Sequence, residues 1–215
     1  MRKTVRAVVC DVGLGNLRSV ERALREAARG LGIDVEVTRD PARLRAADRL
    51  VLPGQAAFED YTRPLAGELG DAVREHLRAQ RPYLGICMGL QALFRESEEA
   101  PGCVGLDVLE GSVVKLRGGA DPATGAPLKI PHIGWNEARA VAGNAGLLGA
   151  GPARHFYFVH SFVAVPRDPK VIAATTQYGD RFASAIAYDN VFACQFHPEK
   201  SQRAGLALLE RFLAS

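Results

Sequence analysis

Cysteines at paired spacing are missing from this chain. Its four stand at Cys10, Cys87, Cys103 and Cys194, with no C-x-x-C motif. That argues against a disulfide framework and fits a reducing compartment, so a cytoplasmic protein is expected. No H-E-x-x-H run occurs, and Cys194 with His197 supplies only two of the four ligands a zinc site needs, so no metal is expected. No apolar run approaches the ~20 residues of a membrane span. Met1-Arg2-Lys3-Thr4 leads straight into an apolar strand, without the core of a signal peptide. Charge of one sign is also scarce. The formal balance is +3, and Arg18, Arg22, Arg25, Arg29, Arg74 and Arg78 lie on solvated helix faces, which argues against nucleic-acid binding. Gly13-Leu14-Gly15-Asn16 follows the first strand, but Arg18 occupies the third glycine position of a dinucleotide loop and no Walker lysine follows. No cofactor is predicted.

What is present is an ordinary globular composition, 47% hydrophobic and 24% charged, over 215 residues. That length suits one domain spanning 1–215. Strand and helix alternate through the first half. Val5–Cys10 is an apolar strand, and Leu17, Val20, Leu24 and Ala28 form one helix face. Ile33, Val35 and Val37 alternate as a second strand, and Arg49–Leu52 is a third. Leu69, Val73 and Leu77 mark a helix, with His76 beside Arg74 and Arg78 read as surface. Pro82–Ile86 is the fourth strand. Such alternation predicts an α/β fold with an open, mostly parallel central sheet flanked by helices. Beyond Pro101, shorter strands (108–116, 137–140, 155–159, 171–178, 182–188 and 191–196) predict an antiparallel extension, with a tight turn at Tyr188-Asp189-Asn190-Val191. Gly118 to Pro127 reads as an exposed loop, and Ser201 as the cap of a last helix carrying Leu206, Leu209, Phe212 and Leu213.

The chemistry concentrates at Gly85-Ile86-Cys87-Met88-Gly89. G-x-C-x-G between a strand and a helix is the thiol form of the nucleophile elbow, in which both glycines allow strand and helix to pass closely. Leu90, Leu93 and Phe94 predict that the helix continues, and its positive end favours thiolate at Cys87. A thiolate nucleophile needs a base and an orienting group. Phe192–Glu199 supplies both, with His197 where an apolar strand ends and Glu199 two residues on. His132 and His155 carry no acidic neighbour at useful spacing, and His160 is a pocket residue but a weaker base. Acyl transfer also needs oxyanion donors. The Met88 amide is one, and the Pro53-Gly54-Gln55 turn after the third strand supplies another.

Elbow cysteine, Pro-Gly loop and late His-Pro-Glu together resemble the class I glutamine amidotransferases, whose fold is flavodoxin-like and which hydrolyse glutamine and pass on ammonia. The resemblance spans nearly the whole chain. Asp11–Val20, Pro131–Asn136, Tyr157–Ser161 and Phe196–Ser201 are similar to the branch of that family serving histidine biosynthesis. It implies L-glutamine as substrate, a Cys87-His197-Glu199 triad, and Gln91, Glu99, Gly54, Ser161 and Phe162 around the substrate's amino and carboxylate groups. It also implies a (β/α)8-barrel cyclase as heterodimer partner, facing Asn16, Arg18, Trp135, Tyr157 and Lys200. Ala56 stands where members often carry glycine, and the Gly118–Pro127 loop is longer than usual among them. Two other readings stand beside this one: a cysteine hydrolase of the same fold in another pathway, which Pro131–Asn136 and Lys200 argue against, and a non-catalytic interaction subunit.

Overall fold

The computed structural model describes residues 4–120 and 124–215. The start of the chain and the middle of the Gly118–Pro127 loop lie outside the described residues; the rest of that loop is mostly exposed. Strands β1 (Val5–Cys10), β2 (Ile33–Thr38), β3 (Arg49–Gly54) and β4 (Tyr83–Cys87) form the parallel half of a nine-stranded sheet. Its order is β2-β1-β3-β4-β12-β11-β10-β7-β8. The far half contains β7 (His132–Ala140), β8 (Arg154–His160), β10 (Ile172–Tyr178), β11 (Asp180–Tyr188) and β12 (Val191–Cys194). β12 runs parallel to β4, and from β12 to β8 every pairing is antiparallel. The β11–β12 turn falls at Asp189-Asn190, with Tyr188 opposite Val191.

Period-two alternation sends successive strand residues into different cores. Ala7, Val9 and Val51 pack with Val20 and Leu24 of α1 (Leu17–Ala27) and Leu208 and Leu209 of α6 (Gln202–Ala214). Val8, Cys10, Leu50 and Leu52 pack with Phe58 and Tyr61 of α3 (Phe58–Thr62) and Val73 and Leu77 of α4 (Glu68–Arg78). Covering both faces explains the continuous apolar runs of the inner strands β3 and β4, whereas β2, at the sheet edge, alternates with Asp34 and Glu36. A short helix, α2 (Pro41–Arg45), links β2 to β3. Among the described residues, no helix is long and apolar enough to cross a membrane.

Three local expectations are overturned. His76 is fully buried, its Nε2 3.0 Å from the Pro82 carbonyl. It lies three residues after Val73 and so belongs to the buried stripe of α4. The helix after the elbow, α5 (Met88–Gln91), is one turn. The Ala92 and Leu93 carbonyls accept from Leu106, Val108 and Leu109, so returning chain takes acceptors a longer helix would use. Phe94 instead starts β5 (Phe94–Ser97), which with β6 (Leu109–Lys115) and β9 (Phe162–Pro166) makes a second sheet. Finally, Ser201 occupies the N-cap position of α6, but its hydroxyl makes no capping bond. It donates to the His197 carbonyl at 2.6 Å and accepts from the Tyr157 amide at 3.0 Å.

Candidate active site

Cys87 ends β4 with φ 53° and ψ −98°, a conformation non-glycine residues seldom occupy. The flanking glycines make that turn possible. A Cβ at Gly85 would stand 2.6 Å from the Gly89 carbonyl, and one at Gly89 would collide with the Leu52 carbonyl. In the ladders, Gly54 of β3 lies opposite Cys87, while Cys194 of β12 lies opposite Ile86. The carboxyl ends of three adjacent parallel strands therefore deliver Gly54-Gln55, Cys87 and Gln195–His197 to one sheet edge, where open α/β sheets build their sites.

His197 is tied down by its own backbone. Its amide donates to the Tyr157 carbonyl at 2.9 Å, its carbonyl accepts from Ser201, and Phe196 stacks on Phe156. The turn Pro198–Lys200 then brings Glu199 back, so that Nδ1 and Oε1 are 2.7 Å apart with both side chains almost fully buried. A carboxylate there holds Nδ1 protonated and leaves Nε2 free, and Nε2 has no hydrogen-bond partner among the described residues. Burial alone would depress this imidazole, but the charges of Cys87 and then Glu199 outweigh it and raise its pKa.

In front of Cys87 lies a cavity of about 290 Å³ whose walls include Gln55, Met88, Gln91, Glu99, Ser161 and Phe162. Gly54 is not among the lining residues; it precedes Gln55 of that wall and is packed so tightly on Tyr61 that any Cβ would collide with the ring. Glu99 Oε2 accepts from the Phe58 amide at 3.0 Å. Buried His160 also lines the cavity and joins His132, Nδ1 of His132 lying 3.0 Å from Nε2 of His160. His160 Nδ1 donates to the Phe162 carbonyl at 3.0 Å, so both rings serve as neutral links. Burial pushes the pKa of His132 down to about 4 and that of His160 to about 3. A larger cavity, about 400 Å³ and bordered by Arg117, Asp180 and Phe182, has no cysteine, serine or histidine among the described residues of its wall.

Gln195 escaped the sequence reading. Fully buried, it donates from Nε2 to Cys87 Sγ at 3.5 Å and accepts from Gln91 Nε2 at 3.1 Å. The available signal was a lone amide in the apolar run 191–196, two positions before His197 and so on the same side of an extended chain.

The residues expected at a partner face form one stretch of surface beside the elbow. Lys200 Nζ reaches Gln55 Oε1 at 3.3 Å and lies 5.8 Å from the centroid of the Tyr157 ring, which meets Trp135 edge-on. Trp135 is 48% exposed and its neighbour Ile133 59%. Exposed Asn16 and Arg18 follow Gly15, whose Cβ would stand 3.1 Å from the Gln55 amide.

A glutamine amidotransferase class-I family model matches residues 8–215. The chain belongs to the class-I glutamine amidotransferase family. This amidotransferase is 48% identical over 206 residues to the imidazole glycerol phosphate synthase subunit HisH of Nitrosococcus oceani, covering 95% of each chain. To the HisH subunit of Syntrophotalea carbinolica it is 44% identical, covering 95% of its own length and 98% of the relative's. Among solved structures, the amidotransferase superimposes on a chain of PurLQS from Thermotoga maritima with TM-score 0.72 and 18% identity, covering 99% of both. The glutaminase domain of Trypanosoma brucei CTPS gives TM-score 0.68 at 14% identity, covering 99% of this chain and 95% of that one. At such identities the structural likeness speaks for the fold alone.

Proposed function

We propose that this chain is the glutaminase subunit of an imidazole glycerol phosphate synthase, hydrolysing L-glutamine to glutamate and ammonia. Its ammonia passes to a (β/α)8-barrel cyclase, with which it forms a cytoplasmic heterodimer making imidazole glycerol phosphate and AICAR in histidine biosynthesis. The observation that carries the reading is the strained cysteine elbow opening on a cavity beside a buried imidazole–carboxylate pair.

The Cys87 thiolate attacks the side-chain amide carbon of glutamine, and the carbonyl oxygen becomes an oxyanion. Amides of Met88 and of the Gly54-Gln55 loop stabilise it, such donors being worth about 2.7–4 kcal/mol each. His197 gives a proton to the departing nitrogen, the C–N bond breaks, and ammonia leaves a thioester on Cys87. His197 then takes a proton from water, the resulting hydroxide attacks the thioester, the C–S bond breaks, and glutamate departs as the thiolate returns. Glu199 holds the imidazole and stabilises its protonated form. Gln91, Glu99, Ser161 and Phe162 hold the amino-acid end. Asn16, Arg18, Trp135, Tyr157 and Lys200 meet the cyclase, and Lys200 links that face to Gln55.

Reconstitution with the cyclase tests this. Cys87→Ala should abolish the glutamine-dependent reaction and leave the ammonia-dependent one nearly intact; persistence of both removes Cys87 from the mechanism. Lys200→Ala should weaken assembly or coupling more than basal hydrolysis. Failure of the cyclase to bind or to raise glutaminase turnover overturns the pathway assignment.

A further inference from the structure

We propose that Gln195 is the hydrogen-bond donor that steadies the Cys87 thiolate, and that Gln91, anchored on the Phe162 carbonyl, sets the direction of that donor. The sulfur needs such a partner. The helix dipole expected from sequence shrinks to the end of a single turn, too short to contribute much. Among the described residues, Gln195 Nε2 stands within hydrogen-bond distance of Cys87 Sγ at 3.5 Å, beside the influence of His197 on the same thiol.

Its orientation follows from a chain of forced choices. The Phe162 carbonyl can only accept, so the amide that reaches it, 3.0 Å away, must present its nitrogen; that amide is Gln91. The same nitrogen lies 3.1 Å from Gln195, which must therefore present its oxygen to Gln91. The nitrogen of Gln195 is left facing the sulfur. Flipping Gln195 would set nitrogen against nitrogen and oxygen against sulfur, costing about 1–3 kcal/mol for each buried group left unmatched. The backbone of Gln195 is fixed too, its amide bonded to the Ser184 carbonyl at 2.9 Å. A hydrogen bond to an anion is stronger than one to a neutral group. The donor therefore favours thiolate over thiol, and it favours thiolate as the group expelled from the thioester. Gln91 thus serves as a positioning residue for the sulfur besides its contact with substrate. Only the consequence for turnover rests on the glutaminase reading.

The test is alkylation of full-length protein by iodoacetamide as a function of pH, without glutamine, followed at the Cys87 peptide by mass spectrometry. Gln195→Met keeps the volume and removes the donor. It should move the pH of half-maximal alkylation up by about one unit and slow the reaction at pH 7 about tenfold. Gln195→Glu keeps the acceptor for Gln91 but turns an anion on the sulfur, and should move it further. Gln91→Met, which frees the Gln195 amide to rotate, should produce a smaller upward shift. With glutamine, Gln195→Met should lower kcat and leave KM within about twofold, as expected for a group acting on the sulfur and not on binding. A Gln195→Met profile superimposed on wild type, with only a lower Tm, overturns the proposal. So does a Gln195→Glu shift to lower pH, and Gln195→Glu decides alone if the methionine variant fails to fold. Glutamine hydrolysis surviving Cys87→Ala would overturn the glutaminase reading instead, while the alkylation profiles would still decide the role of Gln195.

Discussion

His197 and His160 are buried alike, 3% and 6% exposed, yet their surroundings drive them in opposite directions. His197 has Glu199 at 2.7 Å and Cys87 nearby, and these anions overcome burial and raise its pKa. His160 meets His132 and the Phe162 carbonyl, no anion stands among the described groups that act on it, and burial, aided by the charges of His132 and His197, pushes it down to about 3. Two buried imidazoles thus come to hold a proton and to shed one, according to whether an anion stands beside them. His160, in the cavity wall, holds the carbonyl of Phe162 beside it.

The largest effect should come from making His197 resemble His160. Glu199→Gln removes the anion on Nδ1 and leaves Cys87, and kcat for glutamine should fall by roughly 10²–10⁴. A loss below tenfold in steady-state assays would break the comparison. Next is the acid limb of wild-type stability. His132, His160 and His76, depressed mainly by burial to about 4, about 3 and about 4, bind protons more readily once unfolded. Their contribution is fully present above the ordinary value of 6.5 and drains away as pH falls toward their folded values. Urea midpoints should therefore drop between pH 6.5 and 4, by an amount of order several kcal/mol in unfolding free energy. His197 carries the opposite sign: its contribution is present below 6.5 and is lost as pH rises through its raised folded value. The smallest change separates one histidine from the rest. His76→Gln can still donate to the Pro82 carbonyl without titrating, and should make that acid slope shallower by up to about 1.4 kcal/mol per pH unit. An unchanged slope would mean that His76 is not held neutral.

Much of the frame was legible because its signals are local. Continuous apolar runs marked β1, β3 and β4, and the glycine pair marked the elbow. The run 191–196 showed where a strand must end beside His197. The second sheet was harder to read. β5 and β9 have four and five residues, too few for a clear period. Leu90, Leu93 and Phe94 mimicked a helix that the returning segment 106–109 cuts short. His76 was misplaced because its arginine neighbours outweighed its register with Val73. Gln195 passed unnoticed because nothing in an isolated amide says which atom it will touch.

By itself, the chain determined which strands are buried on both faces, where the backbone must turn without a Cβ, and which reactive side chains stand at strand ends. Those properties depend on neighbours within a few residues. Only the tertiary structure decided which histidine meets an anion, which remains neutral, and which amide nitrogen faces the sulfur. Hydrogen-bond direction and proton affinity are set by atoms within a few ångströms, and here those atoms come from strands far apart in the chain.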